Sequence, residues 1–163
     1  MGPYLTIESE VRDIIRKNRW LTLSTSSTKG APQSSVVVYA SDGYIIYILT
    51  GKKAAKIRNI AENNNVSVTI PFYKNLLHRM IGVAPPASIS FKAKAETLEY
   101  GDGKAATLYR KVLGFDLPKN LIEDSVWIKL IPGGYATCHG VGVNMLELRD
   151  PLKAHKVIKL INP

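Results

Sequence analysis

Between Trp20 and Leu49 the chain packs three extended segments so close together that no crossover helix fits between them. Trp20 to Thr25 alternates bulky and hydroxyl-bearing residues, and Lys29-Gly30 then turns the chain. Ser34 to Tyr39 is β-branched and apolar, Asp42-Gly43 supplies a hairpin turn, and Tyr44 to Leu49 returns. Parallel strands need a long crossover, so this spacing predicts an antiparallel meander.

The rest of the chain extends that pattern. Ile7, Val11, Ile14 and Ile15 recur at helical spacing, predicting an amphipathic helix over 6–18 with Thr6 as its cap. A second helix is expected from Lys52 to Asn63, then a strand from Val66 to Ile70 ended by Pro71. Phe72 to Pro86, with Gly82, Pro85 and Pro86, reads as a loop, and Ser88 to Leu98 as a half-buried strand. Asp102 is placed to cap a helix carrying Leu108, Tyr109, Val112 and Leu113, which Gly114 ends. Val126 to Ile131 and Tyr135 to Val143 read as a closing strand pair around Pro132-Gly133-Gly134. The tail after Asp150-Pro151 suits a last short helix or strand. The expected fold is mixed α/β, mainly antiparallel: a β-barrel of six to seven strands with peripheral helices, in one domain over 1–163.

Composition narrows the function classes. A single cysteine, Cys138, excludes an internal disulfide and argues against most structural zinc sites. The amino end lacks a basic region followed by an apolar block, and the strongest apolar runs are too short to span a bilayer, so a cytoplasmic location is expected. Twenty-two basic residues against 13 acidic ones give +9, which favours anionic partners. Several familiar motifs fail. Gly140-Val141-Gly142 has Met145 where a dinucleotide fingerprint needs its third glycine, and Thr50-Gly51-Lys52-Lys53 has Ile46 where a phosphate loop needs its first. His78, His139 and His155 are scattered, and no G-x-S-x-G is present. His139 and Tyr135 are acid–base candidates by residue type alone.

One charge pattern survives. The helix expected at Lys52 carries Lys52, Lys53 and Lys56 at its amino end and Glu62 near its carboxyl end, the reverse of what the helix dipole favours. Each such lysine opposes the dipole by about 0.3–1 kcal/mol, and a bound phosphate would remove the conflict. Thr50 adds a hydroxyl at the entry to this helix. Upstream, Ser34, Ser35, Val36 and Val37 offer hydroxyls and then an apolar wall suited to the rim of a planar heterocycle.

Taken in order, Thr22-Leu23-Ser24-Thr25, Gly30-x-Pro32, Ser35-Val36-Val37-Val38, Asp42-Gly43, Tyr47-Ile48-Leu49-Thr50-Gly51, Lys56 and Ala61-Glu62-Asn63-x-x-Val66-Ser67-Val68 resemble the pyridoxamine 5′-phosphate oxidase-like family. The resemblance covers roughly residues 18 to 98 and continues weakly through Tyr135 to Pro151. It implies an FMN-binding split barrel, a homodimer with flavin sites at the subunit interface, and oxidoreductase activity on a small-molecule substrate that the sequence does not name. It also implies that Thr50 and Lys56 hold the FMN phosphate, that Ser34 to Val37 lie beside the ring, and that Ser88 reaches the flavin of the partner subunit. Where the oxidase has a Ser-Arg pair before the lysine, this chain has Ala54 and Ala55, leaving Lys52 and Lys53 as the available substitutes. The oxidase's substrate-binding carboxyl tail has no counterpart, so pyridoxamine oxidation is not implied. Related barrels bind a deazaflavin or haem, and these remain alternative ligands. A basic nucleic-acid-binding domain is the remote alternative. Lys92, Lys94, Lys104, Arg110 and Lys111 are not interleaved with aromatics as that reading requires.

Overall fold

The computed structural model describes residues 6–75, 79–80, 86–99, 101 and 103–160. Among them the chain forms helix α1 (Ile7–Lys17), strands β1 (Trp20–Ser26), β2 (Pro32–Val38), β3 (Ala40–Asp42) and β4 (Ile45–Gly51), helix α2 (Ala55–Glu62), and strands β5 (Asn65–Phe72) and β6 (Ala87–Leu98). Helices α3 (Gly103–Leu113) and α4 (Lys119–Glu123) and strand β7 (Ser125–His139) follow. A 3-10 turn (Glu147–Arg149), helix α5 (Pro151–Ala154) and strand β8 (His155–Lys159) end the described chain. The expected cap at Asp102, the histidine at 78 and most of the loop expected before Pro86 lie outside the described residues.

All described strands join one antiparallel sheet in the order β2-β1-β5-β6-β7-β4-β3, with β8 on the far half of β7. The meander is corrected in one respect. β2 pairs with β1 and not with β4, whose hairpin partner is the short β3. Tyr39 alone separates β2 from β3, so the two edges of the sheet are successive pieces of chain. The sheet therefore curls until its edges meet at one residue. Tyr39 is held there by its own hydroxyl, which donates to the Ile15 carbonyl at 2.8 Å, and by its N–H, which donates to the Arg19 carbonyl at 3.0 Å. Burial raises the Tyr39 hydroxyl pKa above its ordinary value.

Two other expectations change. Pro132-Gly133-Gly134 is not a turn between two strands; it lies inside the continuous β7. The register jumps there, with Phe91 opposite Ala136 but Ala93 opposite Pro132, so the extra residues form a bulge. A Cβ at Gly133 would stand 3.3 Å from the Lys92 carbonyl oxygen, so any larger residue at the bulge would press on the backbone of β6. The strand expected to stop before Pro71 runs through it to Phe72.

Alternation along the strands defines two surfaces. Leu21, Leu23, Ile46, Ile48, Val68, Ile70, Ile89, Ile128 and Leu130 point inward and fill the barrel, which α1 plugs with Val11 and Ile15. Outside, α3 covers β3, β4 and the first half of β7, burying Tyr47, Tyr109 and Trp127 in a second cluster. Tyr109 meets Trp127 edge to face, with ring centroids 5.2 Å apart.

Candidate functional site

The charge pattern singled out in the sequence sits where α2 crosses the end of β1. The helix starts at Ala55, three residues later than expected, because Gly51 and Lys52 are drawn toward α4: the Lys52 N–H donates to the Asp124 carbonyl at 2.8 Å. Lys56 alone of the three lysines therefore lies in the first helical turn. Lys52 sends its ammonium to the Glu123 carbonyl at 2.8 Å, at the carboxyl end of α4, and Lys53 is exposed in the turn. Lys52 thus neutralises the end of a neighbouring helix rather than crowding the start of α2.

The amino end of α2 is chemically incomplete. Its cap residue, Ala54, makes no side-chain capping bond, and the first turn holds no acidic residue. The Ile57 and Arg58 N–H groups already donate to the Ala54 carbonyl, at 2.9 and 3.4 Å, so the donors this end offers to an anion, with its partial positive charge, are the N–H groups of Ala55 and Lys56. Lys56 is half-buried beside it. Thr50, also half-buried, ends the inward-facing row of β4 opposite Val126.

Polar bonds fix α2 against the β1–β2 hairpin. Asn59 Nδ2 donates to Thr25 Oγ1 at 3.0 Å and to Gln33 Oε1 at 3.5 Å. Asn63 Nδ2 donates to Ser26 Oγ at 3.1 Å, and Glu62 accepts from the N–H and hydroxyl of Thr28 at 3.2 and 3.1 Å. Sequence reasoning missed Thr25, Gln33 and Asn59. The available signal was positional: Gln33 shares the inward parity of Ser35 on β2.

The four β2 candidates do not form one wall. Ser35 and Val37 pair with Leu23 and Leu21 and share their inward parity, and Val37 packs on the barrel core. Ser34 and Val36 face outward; Ser34 Oγ lies 2.7 Å from Ser24 Oγ, and Val36 is 69% exposed. Ser88 belongs to the same outer face, paired with Pro71 on one side and His139 on the other. One chain does not unite these groups. Thr50 is registered with Val126 and Ser88 with His139, at opposite ends of β7, a contour on the order of 40 Å at strand spacing.

Beyond the area that α3 covers, that outer face leaves large side chains in solvent. It exposes Trp20 (59%), Tyr135 (61%) and Val157 (64%) beside Val36. A groove of about 420 Å³ crosses it, lined by Ser67, Ser90, Lys92, Tyr135 and Thr137 among others. His139 has the same outward parity, and its Nε2 is buried without a hydrogen-bond partner among the described residues. No cluster of three or more metal-binding side chains exists among the described residues. Nor is any described helix long and apolar enough to cross a membrane.

A curled antiparallel sheet whose two edges are joined in sequence, with helices at its ends, is a split barrel. The pyridoxamine 5′-phosphate oxidase family model matches residues 7–129, and the chain belongs to that family. No curated protein matches it in sequence. Solved structures of similar fold include the haem storage protein HutZ from Vibrio cholerae (19% identity, TM-score 0.66, covering 83% of this chain and 96% of that one). Others are a putative pyridoxamine 5′-phosphate oxidase from Listeria innocua (18%, TM-score 0.60, 78% and 94%) and an F420 reductase (19%, TM-score 0.56, 74% and 91%). At these identities the likeness is one of fold.

Proposed function

We propose that this protein is an FMN-binding oxidoreductase that works as a homodimer. The observation that carries the reading is the uncapped, acid-free amino end of α2, with Lys56 in its first turn and Thr50 nearby, in a member of a flavin-using family. The phosphate belongs at that helix end, held by the Ala55 and Lys56 N–H groups, the Lys56 ammonium and the Thr50 hydroxyl. A bound flavin would supply the electron or hydride transfer; the chain's part is to hold the phosphate and orient the ring. Ser35 and Val37 are the β2 residues that face the barrel interior, while Ser34, Val36 and Ser88 lie on the bare face and would serve a ring shared across a dimer. The separation of Thr50 from Ser88 along β7 supports that division.

Lys56→Ala tests it. Loss of a charge-assisted bond to an anion costs about 1.5–3 kcal/mol, so FMN affinity should fall roughly ten- to hundredfold. Riboflavin, which lacks the phosphate, should bind the variant and the wild type alike. Equal losses for both flavins, or none for FMN, would reject the phosphate site.

A second reading has one observation in its favour. His139 is registered beside His155 on β8, its Nε2 is buried without a hydrogen-bond partner among the described residues, and a haem iron accepts an imidazole ligand. Haem binding predicts a Soret band in the reconstituted protein that His139→Gln removes.

A further inference from the structure

A groove of about 400 Å³ runs between the carboxyl end of α1, strand β3 and α3, and none of the residues assigned to the flavin lines it. Arg16, Lys17, Arg19 and Lys111 line it, and Leu108 and Val112 give it an apolar side. All four cations are exposed. Lys17 is partnered by Asp13 at 3.4 Å, but among the described residues no carboxylate lies within ion-pair distance of Arg16, Arg19 or Lys111. The nearest acid on β3, Asp42, is engaged by Lys104. Arg110, beside Lys111 in the last turn of α3, is paired with Asp116 at 2.5 Å.

Cations in a last helical turn have a local explanation, since they oppose the partial negative charge there. That accounts for one or two of them singly. It does not account for charges from two helices and a connecting residue converging on one concave surface with an apolar side. Long basic side chains lay their methylene stems along apolar walls and hold their charge at the rim. The result is a site for a molecule that is part hydrocarbon and part anion. Its volume lies in the range of small-molecule pockets.

We propose that this groove binds a small amphipathic organic anion: an aromatic or acyl body against Leu108 and Val112, and a carboxylate, sulfonate or phosphate between Arg16, Arg19 and Lys111. The site is independent of the flavin reading, and its failure would leave that reading untouched.

The probe is 1-anilinonaphthalene-8-sulfonate, which carries both features, with its uncharged relative N-phenyl-1-naphthylamine as the control for charge. Fluorescence titration of the wild-type protein should show the sulfonate binding at least about tenfold more tightly than the neutral dye, since a charge-assisted contact contributes about 1.5–3 kcal/mol. Arg19→Glu/Lys111→Glu should weaken the sulfonate by about tenfold or more on the same basis. Val157→Ser, on the bare sheet face where such a dye could also settle, should leave it unchanged. Arg19→Gln/Lys111→Gln, a milder pair, replaces the reversal should that variant not fold. Equal binding of the two dyes, an unchanged sulfonate affinity in the charge variants, or a loss that follows Val157→Ser would overturn the proposal. So would co-sedimentation with phosphatidylglycerol vesicles that the charge variant loses while its dye affinity stays constant, which would make the groove a membrane contact.

Discussion

The outer surface of this sheet is finished in two different ways, and β7 belongs to both. Trp127 and Tyr135 lie on the same strand with the same outward parity, yet Trp127 is fully buried under α3 and Tyr135 is 61% exposed. Between them sits the bulge at Gly133. On the covered half, Tyr47, Tyr109 and Trp127 make a small core of their own. On the bare half, Trp20, Val36, Tyr135 and Val157 stand in solvent among serines and threonines. Similar side chains thus do different work. A buried aromatic contributes to folding in its own chain; an exposed one on a sheet face is available to a partner.

The comparison makes its largest prediction about stability. Trp127→Ala should cost about 3–5 kcal/mol in denaturant unfolding, as emptying a packed aromatic site does. Tyr135→Ala, measured at concentrations where the protein is monomeric, should cost less than about 0.5 kcal/mol. Similar costs at both positions would mean that the bare half is covered within the monomer.

The next effect concerns association. If the bare half is the dimer face, Val36→Glu/Val157→Glu buries unpaired like charges in it, and sedimentation should show the dimer dissociation constant rising by about a hundredfold or more. Lys104→Glu, on α3, should leave it unchanged. A wild-type protein that sediments as a monomer at micromolar concentration would break the comparison outright.

The smallest effect is a pH dependence. Cys138 points into the barrel and is fully buried, and burial pushes its thiol pKa up to about 11. An unfolded thiol ionises near 8.5–9, so between about pH 9 and 11 the unfolded chain releases a proton that the folded chain keeps, and stability falls as pH rises. Cys138→Ala should flatten this part of the stability–pH curve. A slope identical to that of wild type would assign it to Tyr39, whose raised pKa acts in the same direction.

How much of this was legible in the sequence depends on the length of each signal. β1, β4, β5 and β6 carry alternation over many residues and were recognisable, as was α1 with Thr6 accepting from the Ser9 N–H at 3.2 Å. β3 spans only Ala40–Asp42, too short for a period to register, and its absence from the reading turned two hairpins into a meander. Pro132-Gly133-Gly134 has turn chemistry, but the neighbouring β6 holds it in the ladder; that decision is tertiary and leaves no local trace. The start of α2 was misplaced for the same reason, since Lys52 is a good helix former tied off by the carbonyl of Asp124. At the candidate site, Lys56 and Thr50 were visible because a lysine at a helix amino end contradicts a rule. Thr25, Gln33 and Asn59 break none. Ser34 to Val37 were read as a unit, and the strand period divides them between two faces.

The single-residue joint at Tyr39 has a consequence for how the chain can change over time. β2 is held in register by β1, and β3 by β4, so the residue count from Pro32 to Asp42 is fixed from both ends. One residue added or removed beside Tyr39 would have to slip one ladder by a full position, exchanging its inward and outward side chains along its whole length. The loop at Thr28-Lys29-Gly30 meets no such constraint, because a longer connection there leaves the β1–β2 pairing intact. Length variation among relatives should therefore collect in that hairpin loop and be absent from the joint. The barrel is closed at a point where the chain cannot be lengthened without turning one of its strands inside out.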